Sequence, residues 1–366
     1  MARYAPAGLR ASHEQATNVS TREREHEVLG AGGGLAGAVA AETGDQLGEI
    51  EIQARGYWEL IWRRFRRDKV ALASIGFIVL LFIIAFAGAP LAARLLGHGP
   101  DALFPTAIDD RLLPVGPWTY VDDPFTGERH LLVLGAADTI GRDEFLRLLY
   151  GAQVSLEVAV LSTLGVMAIG TILGAIAGFF GGWIDTLISR ITDITMAFPQ
   201  LLFIVALAAT VGPRIDGVTL GFFGKGVITL VLVFTLLGWF YPARIMRAQV
   251  LSIREKEYVE AARMVGASDW RIVRAHVLPH LVAPMIVYST LIVATYVLAE
   301  AGLSFLGLGI KPPTASWGNL LSTAPTYYTA QPLLMLWPGL AVLLTTLAFN
   351  LLGDGLRDAF DPRSSR

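Results

Sequence analysis

Six windows of the chain carry no charged residue at all: Val70–Pro90, Val158–Phe180, Ile194–Gly212, Gly226–Ala243, Leu281–Ala299 and Pro332–Gly353. Their apolar residues come as unbroken runs rather than as stripes, so each predicts a helix that is hydrophobic all round. At 1.5 Å per residue, about 20 residues cross a hydrocarbon core of about 30 Å. A single charge at mid-helix costs roughly 2.5–3.5 kcal/mol on insertion scales. The pattern predicts an all-α, polytopic membrane protein with six transmembrane helices. The buried helices of a large water-soluble protein are the weaker reading.

Ahead of the first window the order changes. Tyr57–Lys69 reads YWELIWRRFRRDK, with Trp58, Ile61, Trp62 and Phe65 at helical spacing among five Arg or Lys. This predicts an amphipathic interfacial helix over residues 51–69, with its aromatic rings at headgroup depth. The same residues also read as a plain basic flank of the first span, and both readings put the segment at the cytoplasmic face. Residues 1–50 show no periodicity and predict a disordered tail. Their GxGxxG match (Gly32, Gly34, Gly37) follows no strand, and His26-Glu27 lacks a second His, so neither predicts a site. The first window lies far behind this polar leader and reads as an uncleaved span (70–96), not a signal peptide.

With the amino terminus inside, the inner segments from residue 51 onward carry seventeen Lys and Arg, and the outer segments eight. The bias places both termini in the cytoplasm. Residues 97–151 become an extracytoplasmic loop, whose Trp118, Tyr120 and Phe125 suggest a cover over the outer mouth. Residues 152–353 become a five-helix core with an inner loop at 251–280, and 354–366 a cytoplasmic tail.

That inner loop is the informative segment. Arg254–Val265 predicts a short helix with Tyr258, Ala261, Ala262 and Val265 on one face. Gly266 suits a left-handed stop. Ser268 or Asp269 can cap a second helix carrying Trp270, Ile272 and Val273, and Pro279 is expected to break or bend the chain before the fifth span. Elsewhere Gly170, Gly174 and Gly178 form GxxxGxxxG, which predicts close helix packing. Pro199, Pro242 and Pro338 are expected to kink or end spans. Asp185, Arg190 and Asp193 predict local ion pairing or capping.

Chemistry narrows the field mostly by absence. Of 366 residues 54% are hydrophobic and 16% charged, and none is Cys, which removes disulfides and thiol chemistry. A net charge of −2 gives no basic footprint for nucleic acid. His276 and His280 have ligand spacing, but Pro279 lies between them and no HExxH glutamate is present. The segment around Gly224-Lys225 has Thr219 and Gly226 where a phosphate-binding loop needs Gly and Ser or Thr. No nucleophile–base pair stands out.

Glu260-Ala261-Ala262, Gly266 four positions later and then Leu278-Pro279 resemble the EAA loop of bacterial ABC importer permeases; His276 stands where the general pattern has Ile. Asp138–Leu156, Ala299–Leu321 and Asn350–Arg363 are similar to segments of the second permease of the dipeptide, oligopeptide and nickel importers. The likeness covers roughly 57–90 and 134–363. It implies a permease subunit of the bacterial inner membrane that is not itself an enzyme and has no cofactor. Glu260, Ala261, Ala262, Gly266, Leu278 and Pro279 would dock a cytoplasmic ATPase. The implied partners are a second homologous permease, two ATPase subunits and an extracytoplasmic solute-binding protein, and the implied cargo is a peptide or a related small solute. A self-contained secondary transporter would instead carry intramembrane charges and inverted repeats, and a membrane enzyme a catalytic pair at depth.

Overall fold

Asp68 caps the first long helix through its carboxylate, which accepts the Val70 and Ala71 N–H groups at 2.9 and 3.1 Å. From that cap a mostly apolar run carries the helix, through a π turn at Ile84–Gly88, to Gly97, whose φ of +77° ends it. The computed structural model describes residues 57–123, 126–218, 226–329 and 331–361, with side chains omitted at 57 and 216–218. All described residues but Tyr57 belong to one unit, Trp58–Arg366. The tail 1–50 with its glycine motif and His26, residues 51–56, Phe125, Gly224-Lys225 and 362–366 lie outside the described residues.

In chain order the elements are α1 (Tyr57–Phe65), α2 (Lys69–Leu96), β1 (Thr119–Asp122), β2 (Arg129–Leu132), α3 (Glu144–Phe180), α4 (Gly182–Ala197) and α5 (Gln200–Val218). There follow α6 (Val227–Gly238), α7 (Phe240–Arg254), α8 (Glu257–Met264), α9 (Asp269–Phe305), α10 (Trp317–Thr323) and α11 (Leu333–Phe360). Helices α2, α3, α9 and α11 are each long and apolar enough to cross a bilayer. Two bent pairs pass the same test only when their halves are taken together: α4 meets α5 at 86° and α6 meets α7 at 41°. Counting each pair as one span gives six. Pro199 lies in the first break. Pro242 falls in the first turn of α7, beside the second. Pro338, expected to kink, sits inside an unbroken α11.

Several expectations shift. The second span starts at Glu144, not Val158, because Asp143 caps α3 by accepting the Leu146 N–H at 2.9 Å. The amphipathic face of α1 splits: Ile61 and Phe65 are buried, whereas Trp58 and Trp62 face outward. The outer loop contains an antiparallel hairpin, β1 with β2, over a small core of Phe104, Ala107, Val121, Leu132 and Ala136.

The added outer turns of α3 carry buried polar groups, and Arg147 and Ser155 among them bond across to other segments. Arg147 donates to Asp101 (2.9 Å), the Pro313 carbonyl (3.1 Å) and Asn319 (3.4 Å). Glu300 on α9 accepts from Ser155 and Ser304, both at 2.7 Å. Where no water competes, an unmet polar group costs several kcal/mol, so these bonds hold α3, α9 and the segment leading into α10 in register. The windows had placed no charge inside a span. Glu300 falls one residue beyond the fifth window but inside α9.

Within lipid no hydrophobic force draws helices together, and van der Waals packing decides their approach. Gly170, Gly174 and Gly178 line the α3 face that meets α7. A Cβ at Gly170 would lie 2.7 Å from Pro242 Cβ, and one at Gly178 2.8 Å from the Arg247 carbonyl oxygen. At Gly174 it would press onto the Ala243 carbonyl. We therefore expect Gly174→Leu to cost at least about 1–3 kcal/mol. Gly76→Ala and Gly339→Ala, where a Cβ meets nothing within 4 Å, should be neutral or gain up to about 1 kcal/mol of helix propensity. Thermal melting of the detergent-solubilised protein, followed by size-exclusion fluorescence, separates the two; equal melting points would refute the packing account.

Candidate functional site

At the cytoplasmic end α7 stops at Arg254, two residues turn the chain, and α8 begins after Lys256. Its end is built as the sequence suggested. Gly266 has φ +86°, the Gly266 N–H donates to the Arg263 carbonyl (2.9 Å) and the Ala267 N–H to the Ala262 carbonyl (3.0 Å). These two bonds close a left-handed helix stop, and the C″ and C3 residues, Ala267 and Ala262, both pack inward. Ser268 holds the cap position of α9 with extended backbone, but its side chain makes no capping bond. Pro279 neither breaks nor ends the chain. The helix widens into a π turn over Val273–Val277 and runs on through Pro279, since the wider turn absorbs the hydrogen bond that proline cannot donate.

Of the face that carries Tyr258, Ala261, Ala262 and Val265, only Ala262 turns inward. Val259 is fully buried and Ala262 half-buried, whereas Tyr258, Ala261 and Val265 are exposed. Val259 joins Ile272, Val273, Val277 and Leu281 of α9, Met246 and Val250 of α7, and Met167, Ala175 and Phe179 of α3 in one apolar cluster. Two arginines fasten the hairpin to the end of α3. Arg254 donates to the Phe179 carbonyl at 3.2 Å, and the Arg263 guanidinium lies over the Phe179 ring at 5.4 Å. The first contact satisfies a helix-end carbonyl, and the second adds a cation–π attraction of about 0.5–1 kcal/mol at an exposed site.

Of the six residues singled out in the loop, Leu278 and Ala262 support the hairpin from within, while Glu260, Ala261, Gly266 and Pro279 are exposed. His276 and His280 have rings 6.1 and 5.7 Å from Tyr258. Among the described residues no group of three His, Cys, Asp or Glu is placed to hold a metal. What the sequence reading missed is the outward tip: Met264, Val265 and Trp270 are 78%, 90% and 69% exposed. The i, i+3 spacing of Val259 and Ala262 marks the inward stripe, one residue round from Tyr258 and Ala261.

This geometry is an apolar knob on a braced hairpin, flanked by Glu257, Glu260, Arg263 and Asp269. Comparison with known proteins says what kind of chain carries it. Residues 170–366 match the family described as binding-protein-dependent transport system inner membrane component, and residues 56–114 match the N-terminal TM domain of oligopeptide transport permease C. The chain belongs to this family of importer permeases.

The permease is 37% identical over 306 residues to the glutathione transport system permease protein GsiD of Pectobacterium atrosepticum, covering 84% of this chain and 91% of that one. It is likewise 37% identical over 312 residues to GsiD of Escherichia coli, with 85% and 92% covered. An inward-facing structure of the MetNI methionine ABC transporter aligns at 20% identity and TM-score 0.47, over 59% of this chain and 97% of that chain. By its family and its relatives at 37% identity, the protein is a multi-pass inner-membrane permease subunit of an ABC importer, which works with ATPase and binding-protein partners and is not itself an enzyme.

The hairpin should melt in pieces according to burial. Ile272→Ala removes buried methyl groups from the cluster and is expected to cost about 2–5 kcal/mol. Gly266→Ala, strained only by its positive φ, should cost about 1–2 kcal/mol. Val265→Ser should leave stability unchanged to within about 0.5 kcal/mol. Hydrogen exchange of residues 257–277 ranks the three variants; a large loss of protection in Val265→Ser would contradict the assignment of faces.

Proposed function

We propose that this permease pairs with a second, homologous permease and two ATPase subunits to import small peptides delivered by a solute-binding protein, and that the α8 hairpin is the ATPase contact. The exposure of Met264, Val265 and Trp270 carries this reading. On a water-facing hairpin three large apolar side chains in so short a stretch lose free energy by exposure, at roughly 25 cal/mol per Å². A partner groove that covers them recovers it. The hairpin beneath is held by the buried Val259–Ile272 cluster and by two arginine contacts, so it transmits displacement as one body instead of yielding locally.

The resemblance of Glu260-Ala261-Ala262 and Gly266 to the coupling loop supports the same assignment. Nucleotide-driven closure of the ATPases would move the hairpin and with it α7 and α9, a rigid-body transmission. The two bent pairs, α4–α5 and α6–α7, are the spans best suited to rearrange. A small peptide is the favoured cargo because the relatives at 37% identity carry a tripeptide, glutathione, in their names.

Two experiments test this. Gly266→Pro and Glu260→Arg should insert at wild-type abundance but lose ATPase co-purification and uptake, and Val265→Asp with Trp270→Asp should do the same through the apolar tip. Retention of the ATPases at wild-type level by all three would refute the assignment. For cargo, uptake of labelled glutathione in cells expressing the full importer should be competed by di- and tripeptides and not by nickel chelates; the reverse order would overturn the peptide reading.

A further inference from the structure

Helix α4 is poorly anchored for an element at the inner face. Of its sixteen residues only Thr192 is buried, and that hydroxyl bonds within its own helix to the Ile188 carbonyl at 2.8 Å. Between α3, α4 and α7 lies a cleft of about 290 Å³, lined by Ala177, Ile188, Ser189, Thr192 and Ala243 together with Asp193, Arg244 and Arg247. Across this cleft two ion pairs join α4 to α7. Arg247 grips Asp185 with both prongs of its guanidinium, Nη2 to Oδ2 at 2.7 Å and Nε to Oδ1, while Ser189 donates to the same carboxylate at 3.2 Å. One helical stretch further, Arg244 pairs with Asp193. The expected local pairing among Asp185, Arg190 and Asp193 is replaced by two bridges to a helix about sixty residues away.

The position of α7 gives these bridges consequence. Its other face lies directly on the α3 glycines, and its end leads through two residues into the α8 hairpin. Its partner α4 meets α5 nearly at a right angle. We propose that the Asp185–Arg247 and Asp193–Arg244 pairs form the mechanical link by which α7 carries movement of the α8 hairpin to the α4–α5 pair. This link rests on the hairpin being the ATPase contact. The two pairs are unequal. The bidentate pair is partly buried and geometrically fixed by its two bonds, whereas both members of the second are half exposed. Asp185 and Arg247 are positioning residues in this scheme; they touch no cargo.

The chain has no Cys, so nitroxides can be placed by cysteine at Leu187 on α4 and at Leu343 on α11, both exposed. The complete importer in nanodiscs is then measured by double electron–electron resonance, nucleotide-free and trapped with ATP and vanadate. The unmutated pairs should show a nucleotide-dependent change in the α4–α11 distance. Asp185→Asn should lower the ratio of shifted to unshifted population at least about tenfold while ATPase subunits remain bound. Asp193→Asn should lower it less than about fivefold. The reversed pair, Asp185→Arg with Arg247→Asp, should restore it to within about threefold. A full nucleotide-dependent change in Asp185→Asn, or no change with the pairs intact, overturns the link. So does failure of the reversed pair to restore it, and this last arm also decides the case in which Asp185→Asn does not assemble. Loss of ATPase from the importer with native hairpin and pairs would sink the coupling assignment itself, a different failure.

Discussion

The approach of α3 and α7 along Gly170, Gly174 and Gly178 is the constraint on which the rest of the permease hangs. In lipid the two helices gain nothing by hiding apolar surface from each other, so the attraction must come from atoms in contact. Removing the Cβ from three successive turns of α3 lets backbone meet backbone, and any added carbon there collides with the Trp239–Val250 stretch of α7. This fixes α7, and α7 in turn fixes three things: the hairpin at its end, the ion pairs on its flank and the 41° corner with α6. Were the contact to slide, the tip of the hairpin would keep its shape but lose its bearing on the membrane helices.

Different physics operates at the two ends of the helices. On the cytoplasmic side the hairpin meets water, and the cluster around Val259 and Ile272 is an ordinary apolar core with rigidity set by burial. On the outer side rigidity comes from buried hydrogen bonds. Arg147 and Glu300 join α3, α9 and the segment leading into α10, and His98 joins the end of α2 to Asp143, the cap of α3, at 2.9 Å. A rigid outer frame and a braced inner hairpin leave the bent pairs as the compliant part of the molecule.

Much of this was legible in the sequence, for identifiable reasons. Charge-free windows mark spans because a charge in lipid is expensive, and the glycine triplet marks a helix contact because little else explains three glycines at four-residue spacing in a span. The left-handed stop at Gly266 follows from the one residue type that takes that conformation freely. What escaped was decided by tertiary partners. Hydropathy cannot see that Glu144–Glu157 continues a helix, because Arg147 is met by Asp101 and Asn319 and Ser155 by the Trp317 N–H, all remote in the chain. Nor could it place Asp185 and Asp193 opposite α7, or choose between two stripes of α8 one residue apart. Pro279 misled because the π turn ahead of it supplies the room that an isolated helix lacks.

The central claim is that the tip of the α8 hairpin lies inside the ATPase. Because the chain has no Cys, a single Val265→Cys substitution reports on that surface alone. Its rate of maleimide labelling should fall at least about tenfold when the ATPase subunits assemble on the permease, as for a side chain passing from open water into a closed groove, and should recover when they are stripped away. Equal labelling rates with and without stably bound ATPases would show that the tip stays in water, and the coupling assignment would then be wrong.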